Sequence, residues 1–299
     1  DWTGNPWTLY DYAVASRGFA FWLDDADPEE RSIIEEICRK GDFKPGAIVM
    51  GYAKSGDDLL YVTNRYNIGY VVSDYYANGS FWCSYPNKSF KQRPGKAVKA
   101  ENGKIYVSVV FSDGDNVQFD QNALYAIWTE DTDRGAFPVG TTLCAGMQEL
   151  NPFLLEWYYK HMSPNDELMA GPSGYQFIYG RDYSEEGYEK WLELNRRWLA
   201  SAGFKTACFW HTSYGTDRFY RYAETAGLEG VFNGDDDVVL DYHDGVIIMN
   251  QGDHLVAEGD LYNNLAHRQG LLDPSRPHFL NVYPTAVSYT HLTLPTNSL

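Results

Sequence analysis

Residues 105–116, IYVSVVFSDGDN, decide how the chain is read. Ile105 to Ser112 is the strongest strand signal in the sequence, an apolar run rich in β-branched and aromatic residues that suits a buried, pleated surface. It stops at two aspartates, Asp113 and Asp115, separated by a glycine. Downstream, Gln121 to Glu130 reads as helix and Thr141 to Met147 as strand. Asn151 and Pro152 open a helix that runs through His161, and Leu168 to Gly171 is the next strand. Tyr188, Trp191, Leu192, Trp198 and Leu199 then mark one stripe of a helix that stops at Gly203. Thr206 to His211 is a strand, Thr216 to Ala226 a helix and Gly230 to Asn233 a strand. Val246 to Met249 and His278 to Tyr283 are strands around a helix near Asp260 to Arg268. Upstream, Phe19 to Leu23, Ala47 to Tyr52 and Tyr70 to Asp74 read as strands. Asp27 and Pro28 cap a helix ending at Gly41, and Asp57 to Tyr66 is a weaker helix.

Strands alternating with helices over 299 residues predict an α/β fold, and the repeat count fits a (β/α) barrel of the TIM type, distorted and incomplete forms included. A doubly wound open sheet is the competing architecture, but no GxGxxG follows the first strand. One barrel-like domain is expected over residues 1–286. Residues 287–299, a Thr, Leu and Pro run with no helical stripe, are expected to be a non-native tail without a place in the fold.

Composition narrows the partners. With 44% apolar and 16% aromatic residues the chain has the payload of a packed globular protein, and its formal charge of −17 argues against nucleic acid. No apolar run is long enough for a membrane span. Cys38, Cys83, Cys144 and Cys208 are far apart and form no CxxC, so buried free thiols are expected.

In a barrel the catalytic groups lie at the carboxyl ends of strands, and that is where many acids of this chain fall. Asp24, Asp25, Asp74, Asp113, Asp115, Glu149, His211 and Asp235 to Asp237 all follow a predicted strand. Asp113 and Asp115 stand out because two carboxylates held close cannot both ionise easily, which lifts one into the range of a general acid. Asp113 shares parity with Ile105, Val107, Val109 and Phe111, so the pair reaches the mouth only if a turn begins near Ser112. Without that turn the two acids cap the following helix.

Glycoside hydrolysis needs an acid and a second carboxylate roughly 5 to 9.5 Å apart. Asp113, Asp115, Glu149 and Asp235 are the catalytic candidates, and Asn116, Tyr175, Tyr179, Trp210 and His211 the candidates for binding substrate. No cofactor is expected. Two other functions use the same residues: a carbohydrate-binding protein without catalysis, and a metal-dependent, deacetylase-like hydrolase in which a divalent metal takes Asp113, Asp115, Asn116 and His211.

Two segments carry a resemblance. VSVVFSDGDNVQ, residues 107–118, and DELMAGPSGYQFIY, residues 166–179, resemble the GxGYxYP family, as do NPFLLEWYY between them and the later RPHFLNVY. Setting Gly174 and Tyr175 on the motif puts Pro172, Phe177 and Ile178 where the family has Gly, Tyr and Pro. The resemblance implies a barrel-like domain, a carbohydrate substrate, glycosidase activity and an extracellular or periplasmic location. It also implies a longer parent protein, with residues 1–103 open to assignment to the family's N-terminal region.

Overall fold

The computed structural model describes residues 9–54, 56–73, 76–93, 95, 98–209, 216–233, 240–250, 253–255, 263, 266 and 273–284. The first part of the chain builds a small lobe. It contains α1 (Tyr10–Ser16), α2 (Pro28–Lys40), β1 (Ile48–Gly51), α3 (Gly56–Asn64), β2 (Gly69–Val72) and α4 (Gly79–Trp82). Asp27 caps α2 as expected, accepting from the backbone N–H of Glu29 and Glu30, with Pro28 in the first turn and the helix ending at Gly41. β1 and β2 pair in parallel with each other and form a separate two-stranded sheet.

The rest of the chain builds the main sheet. β3 (Ile105–Phe111) leads through α5 (Val117–Gln121) and α6 (Ala123–Glu130) to β4 (Val139–Leu143). α7 (Met147–Leu150) and α8 (Pro152–His161) connect to β5 (Asp166–Ala170), and α9 (Glu185–Ala202) to β6 (Thr206–Phe209). After α10 (Thr216–Thr225) come β7 (Gly230–Asn233), β8 (Leu240–His243), β9 (Val246–Asn250), β10 (Asp253–Leu255) and β11 (His278–Pro284). The nine strands lie in the order β10-β11-β3-β4-β5-β6-β7-β9-β8. Every pairing is parallel except that of β8 with β9.

The class is therefore mixed α/β, with the sheet curled into a half-barrel. The expected TIM-type ring is not closed among the described residues, where β10 and β8 are the two edges. One physical reason lies after β7. The chain forms a hairpin there, with Asp244 and Gly245 both at positive φ, so β8 runs back along β9 and does not continue the parallel series. The predicted strand at Phe19 to Leu23 is also absent. That stretch is coil outside any sheet, with Phe19 70% and Trp22 82% exposed, and Leu23 alone of its large apolar residues packs against the small lobe's core. The strand expected to reach Met147 ends at Leu143, and Met147 starts α7. The expected helix over Gln121 to Glu130 is two helices, broken at Asn122. Asp74 and the proposed tail lie outside the described residues, as does all of the Asp260 to Arg268 helix except Asn263 and Ala266.

The period of two along each strand sorts the core into layers. Phe111, Leu143, Leu168, Ala170, Ala207, Phe209, Val231 and Ile248 face the helices and join the main core with Tyr158, Trp191, Leu199 and Tyr222. Val110, Met169 and Cys208 alternate with them and, with Phe232, fill the opposite side of the sheet. α9 buries Tyr188, Trp191, Leu192, Asn195, Trp198 and Leu199, a stripe at helical spacing, and Ser184 caps its start.

Candidate active site at the carboxyl end of β3

The turn that the acid pair requires is present. β3 ends at Phe111, and Asp113 takes φ +74, a conformation non-glycine residues seldom adopt. The parity that pointed Phe111 and Asp113 the same way is broken there. Asn116 then caps α5, its Oδ1 accepting from the Phe119 N–H at 3.1 Å, so this predicted substrate ligand is engaged as a helix cap.

Gly114 fixes where the turn sits. A Cβ at this position would overlap the Thr142 carbonyl of β4, so only glycine lets the two backbones approach this closely. Thr142 completes the clamp: its Oγ1 accepts from the Gly114 N–H at 3.1 Å and donates to the Phe111 carbonyl at 2.9 Å. A second contact comes from the small lobe, where Val72 forms a parallel bridge with Asn116.

On this clamped turn Asp113 is exposed and Asp115 half-buried. Burial first, and then the charge of Asp113, push the Asp115 carboxyl up to about 7. An ordinary carboxylate titrates near 4. Asp115 therefore holds a proton into the neutral range, with burial the larger cause and the neighbouring Asp113 charge the smaller.

Two residues join this site that the sequence did not single out. Tyr283, at the end of β11 beside β3, has its phenol raised by burial, by Asp113 and by the Cys208 thiol. The available signal was parity in HFLNVYP. Asn281 and Tyr283 share a face, and Asn281 accepts from Ser108 Oγ at 2.7 Å across the β3–β11 pair. Asp120 on α5 is the other. It is fully buried, and burial pushes its carboxyl well above the usual range, the Cys144 backbone N–H opposes the shift, and Asp115 and Asp113 add to it.

The remaining candidates lie elsewhere. Glu149 is exposed on α7 and accepts from Tyr175 Oη at 3.0 Å, and its charge reaches Tyr12 of α1. The neighbours that shift Asp115 do not include Glu149. The Tyr175 ring is buried and stacked on Trp198 with centroids 5.8 Å apart. Tyr179 is buried in the small lobe's core, 5.4 Å from Tyr61 and 5.5 Å from Phe177 between ring centroids. Both were expected to bind sugar. In the structure both rings are enclosed by packing contacts. Asp24 binds Lys54 Nζ at 2.6 Å, and Asp25 accepts from the Lys54 N–H at 2.9 Å, so these acids tie the loop after β1. Trp210, His211 and Asp235 lie outside the described residues. Among the described residues no three His, Cys, Asp or Glu side chains gather as a metal site. No helix among them is long and apolar enough to cross a membrane. Cys38, Cys144 and Cys208 are buried free thiols, and Cys83 is a half-buried one.

The segment 171–178 is built around a close approach of its own. Gly174 sits at φ +124, and a Cβ there would overlap Asn195 Oδ1, the atom that accepts from the Tyr175 N–H at 2.9 Å. Phe177 continues the segment by pairing its backbone with Tyr70 of β2.

Fold and site together define an α/β half-barrel protein with a two-carboxylate turn clamped at the carboxyl end of a central strand. The model of the family described as "GxGYxYP putative glycoside hydrolase C-terminal domain" matches residues 103–292, and that of the "GxGYxYP third domain" matches residues 2–84. The chain belongs to the GxGYxYP family. Its fold is similar to that of a "putative hydrolase" from Bacteroides thetaiotaomicron, with a TM-score of 0.81 at 21% identity over 94% of this chain. The chain spans 58% of the length of that protein. No curated protein sequence matches it.

Proposed function

We propose that the chain carries the acid pair of a glycoside hydrolase acting on a polysaccharide or glycan outside the cytoplasm. Asp115 is the general acid that protonates the leaving glycosidic oxygen, and Asp113 is the second carboxylate, acting as base or nucleophile. The observation that supports this most is the half-buried Asp115, lifted to about 7 two residues from an exposed Asp113. A general acid works best with an acidity near the working pH. The family description and the "putative hydrolase" name of the similar structure agree with this chemistry. On this reading the half-barrel is an incomplete barrel of the TIM type, with the reaction at its strand-end mouth. Trp210, His211 and Asp235, which lie outside the described residues, stay candidates by their sequence positions after predicted strands.

A panel of aryl glycosides and of plant and host glycans, incubated with folded protein, should give hydrolysis that Asp115→Asn and Asp113→Asn abolish. Glycan binding that survives both substitutions, with no product at any pH, would overturn the enzyme in favour of a binding protein. Turnover that disappears on chelation and returns with a divalent metal would replace it with the metal-dependent hydrolase.

A further inference from the structure

Asp120 is anchored by its main chain and left over at its side chain. Its N–H donates to the Asn116 carbonyl at 3.0 Å, and its own carbonyl accepts from Tyr158 Oη at 2.6 Å. The carboxyl is fully buried; the Cys144 backbone N–H is directed at it, but neither oxygen closes a hydrogen bond of ordinary geometry. Buried polar atoms of folded proteins are nearly always fully partnered, so a carboxyl this poorly satisfied asks for an explanation.

Asn116 caps α5, so Asp115 just before the cap and Asp120 one turn in stand at the two positions whose side chains meet across a helix start, and the titratable groups whose charge reaches Asp120 come from three elements. Asp113 and Asp115 lie on the turn, the Cys144 thiol follows β4, and the Tyr158 phenol belongs to α8. None of them is a cation. An ionised Asp120 would be a buried charge without a counter-charge, a state that costs several kcal/mol. The group is therefore a neutral carboxylic acid, and a neutral carboxylic acid has an O–H to donate. Within this cluster the group that gains a negative charge during the reaction is Asp115.

We propose that Asp120 is a positioning residue whose carboxyl O–H donates to the Asp115 carboxylate formed when Asp115 gives its proton to the leaving oxygen. In that step the Asp115 O–H bond breaks, its electron pair stays on the carboxylate, and a new O–H bond forms on the leaving group. Asp120 keeps its own proton throughout. A hydrogen bond to an ionised acceptor is about twice as strong as a neutral one, so Asp120 sets how readily Asp115 lets its proton go. This role rests on Asp115 being the acid proposed above.

The test is the titration of Asp115 in the full chain, followed by carboxyl 13C NMR and assigned with Asp115→Asn. Asp120→Leu removes the donor and should raise the Asp115 midpoint by about one unit, while Asp120→Asn keeps a donor and should restore it. An unchanged midpoint in the Leu variant would reduce Asp120 to a packing role and overturn the proposal. So would a midpoint lowered by about a unit in the Asn variant, because Asp120 would then be charged in the native protein. If the Leu variant does not fold, the Asn variant decides, together with the Asp120 resonance, which must stay protonated through pH 7. No substrate enters this measurement. Absence of hydrolysis would therefore sink the glycosidase proposal and leave this one to be judged on the midpoint.

Discussion

The chain has two short motifs of family character, and they meet different fates. The turn at residues 112–116 opens outward: Asp113 is exposed, Asp115 half-buried, and its glycine is spent on pressing the loop against β4. The segment at 171–178 turns inward: Tyr175 is buried, its hydroxyl is taken by Glu149, and its glycine is spent on receiving Asn195. Both need glycine for close approach, yet the first leaves its acids accessible and the second encloses its ring. On the proposed function, a motif that names a family is scaffold, while a plainer one holds the reactive groups.

The largest expected effect separates the two motifs by activity. Asp115→Asn should cost about 10²- to 10⁴-fold in turnover of any glycan found to be a substrate, with no fall in melting temperature. A variant that loses only a few-fold would shift the chemistry away from the turn. Gly174→Ala should do the opposite, destabilising the fold by about 3 kcal/mol in urea unfolding while residual folded protein keeps its specific activity. A stable but inactive Gly174→Ala protein would move the 171–178 segment into the site.

A smaller effect should appear in the dependence of stability on pH. Folding raises the Asp115 carboxyl to about 7, so protonation favours the folded state. Its contribution is complete below about pH 4, the unfolded value, and is lost as pH rises through about 7. Asp115→Asn should flatten that part of the curve in urea titrations at stepped pH. A slope that survives the substitution would assign it to another group, with Asp120 the first to examine. The smallest effect is expected from Phe177→Tyr, which restores the motif's hydroxyl. Stability should move by less than about 0.5 kcal/mol and turnover not at all, since the segment acts through its backbone pairing and packing. A several-fold gain in rate would show that the hydroxyl belongs to catalysis.

Much of this arrangement was legible from side-chain pattern. β3, β5, β6, β7, β9 and β11 came from apolar runs bounded by turn residues, and α2, α8 and α9 from caps and stripes that the structure uses as written. What misled was apolar content without a partner. Phe19 to Leu23 has the composition of a strand, but its aromatics face solvent. The acid turn was legible as a condition, a break near Ser112, and Asp113 at φ +74 meets it. Aromatic rings beside a glycine motif suggest a binding surface, and the sequence does not show that Tyr175 and Tyr179 are enclosed by tertiary contacts with Trp198 and Tyr61. Asp120 could not be found from sequence at all. Standing just before the predicted helix, among Gln118, Gln121 and Asn122, it reads as one more polar residue, and only three-dimensional packing closes over it.

Thr142 is the residue through which the strand beside the site governs it. β4 supplies no candidate acid, yet one hydroxyl on it holds both the last carbonyl of β3 and the amide of Gly114. A slight slide of β4 along its own axis would leave the ladder between the strands nearly intact and still retune the spacing of the two carboxylates. The mouth is in this sense gauged from its neighbour. A change along β4 that moves Thr142 has a mechanical route, through Gly114, to the turn that carries Asp115.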